Sequence, residues 1–407
     1  MTADHPDRRT FLVGGAAALG GAALAVGGRA AWDADQGRRG AASDGSGTAA
    51  GTATVPFRGA RQAGVGTPPA AFATVIALDL VPGADRDAIV RLMRIWTDDI
   101  ERLTQGRPGL TDTEPELALV PASLTVTVGY GSGLFSAAGL DRLRPAWLSP
   151  IPAFAIDRLQ PAWCGGDLVL QVCADDELTI RHAARLLVRQ AGTFATVRWV
   201  QRGFRRSPGT TPPGTTMRNL MGQLDGTRNL SPVDDEDLIW HDDTAPDWLV
   251  GGTSMVLRRI AMDLDTWDGV DRPVREAVLG RRMADGAPLT GTREHDEPDL
   301  EALNDIGFPV IDIAAHIRRA RTADPGQRFL RRGYSYDDGP GAGGPDGTGL
   351  LFITFQRDVT RQFVPVQQRL AELDLLNTWI TPVGSASFAI PGGCPTGEYL
   401  GQRLLES

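Results

Sequence analysis

Hydrophobic and polar positions follow two different periods along this chain, and the switches between them mark out a series of elements that occurs twice. Phe72 to Leu80 is a mostly apolar run of strand length, Asp85 to Thr104 places Ile89, Leu92, Met93 and Trp96 at helical spacing, and Ser123 to Gly129 alternates with period two. Asp167 to Cys173 then predicts a strand, Asp176 to Ala191 a helix, and Phe194 to Gln201 another strand. The second series runs strand Ser254 to Leu264, helix Val270 to Leu279, strands Arg328 to Tyr334 and Leu350 to Gln356, helix Thr360 to Leu373, and strand Ser385 to Ile390. Within it, Phe308 to Arg321 reads as a short helix with Val310, Ile313, Ala314 and Ile317 on one stripe and His316 among them.

The order β, α, β, β, α, β is that of a ferredoxin-like unit, so the chain is expected to be α+β with two such domains, at 55–215 and 216–407. Arg205 to Thr216, rich in Pro, Gly, Ser and Thr, is the link between them. The second series holds additional residues, Arg281 to Arg321, and insertions into a repeated framework often carry function. Ahead of both lies Asp7-Arg8-Arg9-Thr10-Phe11-Leu12 and an Ala/Gly-rich run to Val26, the pattern of a twin-arginine export signal over 1–31. That run falls short of the ~20 strongly apolar residues a membrane span needs, so no stable span is expected after cleavage near Ala30 or Ala31. The stretch 32–54, almost without apolar residues, is expected to be a disordered linker.

With 42% hydrophobic and 22% charged residues, the composition is that of a globular protein. A net charge of -9 argues against general nucleic-acid binding, which needs a basic excess. All the positive side chains are arginine, which weakens any single arginine as a functional signal. Cys164, Cys173 and Cys394 are too few and scattered for a disulfide framework, a zinc site or a cysteine-held iron cluster.

Two stretches carry candidate chemistry. His316 is placed to reach a buried ligand, the alternative being a core histidine satisfied by Asp312. His182, His241 and His295 lie in charged runs and read as solvated, while His5 falls in the signal. Met221 to Asn229 contains Gly222-x-x-Asp225-Gly226, whose glycines permit a tight turn and close approach to a flat ligand, although a solvated Asp-Gly turn has the same sequence.

Taken together, Gly222-x-x-Asp225-Gly226, His316 downstream, and Arg331-Arg-Gly-Tyr-Ser-Tyr336 resemble the dye-decolorising peroxidases, haem proteins built from two ferredoxin-like domains. Gln62-Ala-Gly64, Gly165-Gly-Asp-Leu168, Trp248-Leu-Val-Gly-Gly252, Leu351 to Asp358 and Phe388 to Gly392 extend the resemblance over Val55 to Gly393. It implies a dimeric α+β barrel-like arrangement within one chain and one haem b per chain. It also implies His316 as proximal iron ligand, with Asp225 and Arg332 on the opposite side as the catalytic pair. Hydrogen peroxide must lose a proton from one oxygen and gain it on the other before its O–O bond breaks, which suits an ionised carboxylate. A permanently charged guanidinium suits the developing negative charge.

Gly226, Thr227 and Arg228 of the same turn, Arg259, Phe352 and Phe355 are further expected around the cofactor, the arginines toward its propionates and the phenylalanines as an apolar wall. For the second nitrogen of His316 the candidates are Asn377, favoured by its place in the family pattern, and Asp374. Bulky donors would need a Trp or Tyr relay, for which Tyr334, Tyr336, Trp379 and Trp240 are candidates. The expected function is an exported peroxidase that reduces hydrogen peroxide and oxidises dye-like or phenolic donors. The alternative is a deferrochelatase-like haem-binding protein of iron acquisition; the partners considered besides the substrates are an iron-transport complex or a second copy of the chain in a homo-oligomer.

Overall fold

The computed structural model describes residues 50–339 and 347–407, so the expected signal and residues 32–49 of the expected linker lie outside the described residues. Among the described residues, nine strands form one antiparallel sheet. They are β1 Phe72–Leu80, β2 Thr125–Tyr130, β3 Leu168–Ala174, β4 Ala195–Phe204, β5 Thr253–Met262, β6 Leu330–Arg331, β7 Tyr334–Asp337, β8 Thr348–Gln356 and β9 Ile380–Ile390. The first four pair in the order β4-β1-β3-β2, and β5, β7, β8 and β9 pair in the order β9-β5-β8-β7, the same pattern in both halves, with the two-residue β6 beside β7 on β8. Short seams close the sheet into a ring, Tyr130 opposite Ala389 between β2 and β9, and Phe204 opposite Ser335 between β4 and β7.

Period-two alternation then sorts the side chains. Val75, Ala77, Val169, Met255, Leu257, Tyr334, Tyr336, Leu351, Ile353, Phe355 and Phe388 point into the ring and pack there. The outward face of the first half is covered by α1, Arg86–Thr104, and α2, Glu177–Ala191. Each begins at an aspartate whose carboxylate accepts an N-terminal amide hydrogen, Asp85 from Ala88 and Asp176 from Thr179. Their apolar stripes, with Ile89, Leu92, Met93 and Trp96 fully buried, build the largest core cluster.

The outward face of the second half is covered by shorter pieces: α3, Arg272–Leu279, α4, His316–Ala320, and α5, Val364–Leu373. A smaller apolar cluster of Met221, Met262, Trp267, Val278, Leu279, Leu350 and Leu376 lies there.

Several expectations are corrected. The helix starts only at His316, because Asp312 captures the preceding turn through Ala314 N to Oδ1 (2.7 Å) and Ala315 N to its carbonyl (3.1 Å). Ile313 is therefore 59% exposed rather than part of an apolar stripe. The strand expected over Arg328 to Tyr334 is interrupted at Arg332-Gly333. Residues 50–54, expected to be unstructured, are held by backbone hydrogen bonds from Ala122 to Gly51 (2.9 Å) and from Ser123 to Ala53 (2.7 Å). His182 and His241 are not solvated: His182 is 4% exposed and bonds to Asp112 at 2.9 Å, and His241 stacks on Trp147. All three cysteines are free.

Candidate active site

The turn from Met217 to Asn229 is a small hairpin, with Arg218 bridged to Leu224 and the Asp225 amide donating to the Met217 carbonyl at 2.8 Å. Gly226 follows at φ +140°, a backbone region that a side chain would strain, so the chain can leave sharply after Asp225. The carboxylate of Asp225 accepts from Arg331 Nη1 at 3.2 Å, with Asn219 Nδ2 at 3.5 Å from its other oxygen. Asn229 of the same turn clamps the Arg331 peptide twice, its Oδ1 accepting from Arg331 N and its Nδ2 donating to Arg331 O, both at 2.7 Å. The turn thus fixes the backbone that aims the guanidinium at Asp225.

Arg331, not Arg332, stands beside Asp225. Leu330, Arg332, Tyr334 and Tyr336 are each no more than 5% exposed. Arg332 donates to the carbonyls of Thr67 (2.6 Å) and Pro68 (3.3 Å) instead. The alternation was available in the sequence: the large side chains at 330, 334 and 336 assign even positions to the interior and leave 331 on the other face.

On α4, His316 Nδ1 lies 2.6 Å from Asp374 Oδ2, and the Asp374 side chain is 1% exposed. Its other oxygen accepts from Leu376 N at 2.9 Å, and Leu375 N donates to the Ala314 carbonyl at 3.0 Å, so two turns lock the pair. Asn377, expected as the partner, instead donates to the Leu370 carbonyl at 2.8 Å. Neither does Asp312 satisfy the ring, since its carboxylate is occupied by Ala314. Burial pulls the His316 pKa down, but the charge and hydrogen bond of Asp374, with the charge of Asp225, outweigh it and raise the pKa above its ordinary value, Arg331 opposing. The His316 side chain keeps 34% of its surface open, Asp225 20% and Arg331 27%.

Phe352 lies on the outward face, edge-on to Phe329. Phe355, three residues on, is fully buried inside the ring, and so is Arg259, which bonds Gln201 (2.6 Å) and Asp338 (3.0 Å) and stacks on Trp163 and Tyr336. Those two expected cofactor contacts are corrected by strand alternation. Arg228 stays at the rim in an ion pair with Glu297 at 2.8 Å, and Thr227 has a buried hydroxyl with no hydrogen-bond partner. Of the relay candidates, Tyr334, Tyr336 and Trp240 are buried in the ring, whereas Trp379 is partly exposed and meets Trp267 edge-on at 5.1 Å.

This donor set fits haem: an imidazole whose Nε2 makes no hydrogen bond, a carboxylate and guanidinium within its electrostatic reach, a phenylalanine wall, and arginines at the rim. Comparison with known proteins agrees. Residues 62–205 match the model of the Dyp-type peroxidase N-terminal domain and residues 216–395 that of its C-terminal domain. The chain belongs to the Dyp-type peroxidase family, whose members are haem peroxidases.

It is 40% identical to a dye-decolorizing peroxidase of Thermobifida fusca over 98% of this chain and 97% of that one. It is 34% identical to a deferrochelatase of Yersinia pestis over 86% and 85%. The crystal structure of a DyP-type peroxidase from Cellulomonas bogoriensis is 62% identical, with TM-score 0.86, covering 88% of this chain and all of that one.

Proposed function

We propose that this chain is an exported haem b peroxidase in which Asp225 and Arg331 activate hydrogen peroxide and His316, held by Asp374, ligates the iron. The observation that carries it is the presence, in a chain of this family, of two partly open hydrogen-bonded pairs, Asp225–Arg331 and His316–Asp374, on the second half of the ring. Each half, with strand order 4-1-3-2 and two helices on one face, is read as a ferredoxin-like domain, at 55–215 and 216–407. Export rests on Arg8-Arg9 and the apolar run that follows.

Haem, when bound, supplies the iron and the electrons that O–O cleavage consumes. The protein's part is proton movement and charge. Peroxide against Asp225 gives a proton to the carboxylate, which returns it to the departing oxygen, directly or through one water. Arg331 cannot lose its charge, so it stabilises negative charge on the leaving oxygen while its hydrogen bond orients the Asp225 carboxylate. His316 donates its Nδ1 hydrogen to the buried Asp374 carboxylate, leaving Nε2 as an electron-rich ligand in a fixed orientation. Organic donors would return the electrons one at a time, and Trp379, partly exposed and edge-on to Trp267, is the candidate relay that is not buried in the ring.

The test is rapid mixing of the purified holoenzyme with hydrogen peroxide. A fast change in the Soret band, slowed in Asp225→Ala and Arg331→Leu but not in Arg332→Leu, is the expected result. Protein without a Soret band sinks the reading. The identity to a deferrochelatase supports a second reading, in which the same pocket removes iron from haem. Release of fluorescent metal-free porphyrin, without a peroxide-dependent spectral change, would favour that one.

A further inference from the structure

At the mouth of the candidate site one carboxylate joins the two walls. Glu297, in the insertion between α3 and α4, pairs through Oε2 with Arg228 Nη1 at 2.8 Å and through Oε1 with Arg321. Arg228 follows Asp225 by three residues, and Arg321 closes the helix that begins at His316, so the bridge spans from the turn of one functional pair to the helix of the other. Arg281 and Arg331 belong to the same group. Burial first, then the charges of Arg228, Arg331 and Arg321, pull the Arg281 guanidinium below its ordinary range against the pull of Glu294. Burial and Arg228 do the same to Arg321.

Four guanidiniums are thus gathered around three carboxylates, those of Asp225, Glu294 and Glu297. The residual charge is positive. Haem brings two propionates, and if these replace Glu297 the four cations meet four carboxylates. The replaced contact is weakly held: Arg228 and Glu297 are each more than half exposed, and Arg321 is 38% exposed. Exposed pairs of this kind exchange partners readily.

We propose that Glu297 is a built-in competitor of a haem propionate: it pairs with the fork between Arg228 and Arg321, and haem seats by displacing it. Resting on the haem reading above, this assigns Glu297 the role of a competitor that sets how fast cofactor is released. Each time a propionate lets go, Glu297 takes the fork and opposes its return.

The test is transfer of haem from holoenzyme to excess apomyoglobin, followed in the Soret region, with melting curves confirming that each variant is folded. Glu297→Gln keeps size and polarity but removes the competing charge, so its haem is expected to leave about two- to fivefold more slowly than wild type. Arg228→Gln and Arg321→Gln remove the fork and are expected to release haem faster by a similar factor. If Glu297 were instead a latch that holds bound haem in, Glu297→Gln would release it faster. That result, or an unchanged rate, overturns the proposal while leaving the peroxidase reading intact. A wild-type protein that carries no haem would overturn both.

Discussion

The two halves of the ring share a strand order but differ in what covers their outer faces. In the first half, helices of 19 and 15 residues lie on the sheet and seal it, with Trp96, Leu92 and Ile89 fully buried beneath them. In the second half the coverings are helices of 8, 5 and 10 residues and an irregular insertion, and the side chains beneath keep open surface: His316, Asp225, Arg331 and Phe352. A repeated framework thus yields a packed support on one side and a lined pocket on the other. The difference follows from shortening the cover, since the strands themselves are laid out alike.

The largest expected effect tests that division directly. His316→Ala should abolish haem retention while the protein still melts cooperatively. His182→Ala, in the sealed half, should keep haem but lose about 1–3 kcal/mol of stability by leaving the buried Asp112 carboxylate without its partner. Soret absorbance and thermal melts read the two quantities separately, and a loss of haem in the His182 variant would erase the contrast.

Next in size is the pair of adjacent arginines. Asp225→Ala should slow the reaction with peroxide by about 10²–10⁴-fold, the usual worth of a positioned proton carrier. Arg331→Leu should slow it by somewhat less, whereas Arg332→Leu should leave it unchanged and move only the melting temperature. Stopped-flow rates for the three variants decide the matter, and a slow Arg332 variant would return the role to the side chain the sequence first suggested.

A smaller effect belongs to the partner of His316. Asp374→Asn should weaken haem retention or peroxide reactivity about tenfold, by removing the charge that enriches and orients the imidazole. Asn377→Ala should do neither, because its amide serves the Leu370 carbonyl. Titration of haem into each variant checks this.

Much of this architecture was legible in the sequence because period and punctuation agreed. Phe72–Leu80 is observed with the expected ends, and both long helices start one residue after the expected Asp85 and Asp176, which serve as their caps. What failed was local competition. Asp312 captured a turn and erased two thirds of an expected helix, and Arg331 and Arg332 could be told apart only by following alternation from Leu330 to Tyr336. Phe352 and Phe355 separated for the same reason, being an odd number of residues apart on one strand. The choice between Asp374 and Asn377 had no sequence signal, since both lie at the end of α5 and only the path of the Leu375–Thr378 turn selects the acid. Glu297 was invisible for a related reason: its partners come from segments 69 and 24 residues away, and an acidic run such as Glu294 to Glu297 reads as solvated until those segments meet it.

The smallest expected effect concerns His241, which lies between β4 and β5 and stacks against Trp147 of the first half at 6.1 Å. Burial, helped by the Arg357 charge, lowers its pKa from the ordinary 6.5 to about 4. An unfolded chain protonates this ring near pH 6.5, whereas the folded chain resists until about pH 4. Between those values the unfolded state binds more protons, so acidification favours unfolding, and the contribution is lost as pH falls. With the ring partly open to solvent, this is worth on the order of 1–2 kcal/mol at the acid end. His241→Gln removes the titration and keeps the size, so its melting temperature should fall less steeply than that of wild type between pH 7 and pH 4.5. Because His316 is present in both proteins, its own titration cancels from the difference. Parallel slopes would mean that the junction between the halves is open enough to hydrate the ring, and that the first half is not as closed as its long helices suggest.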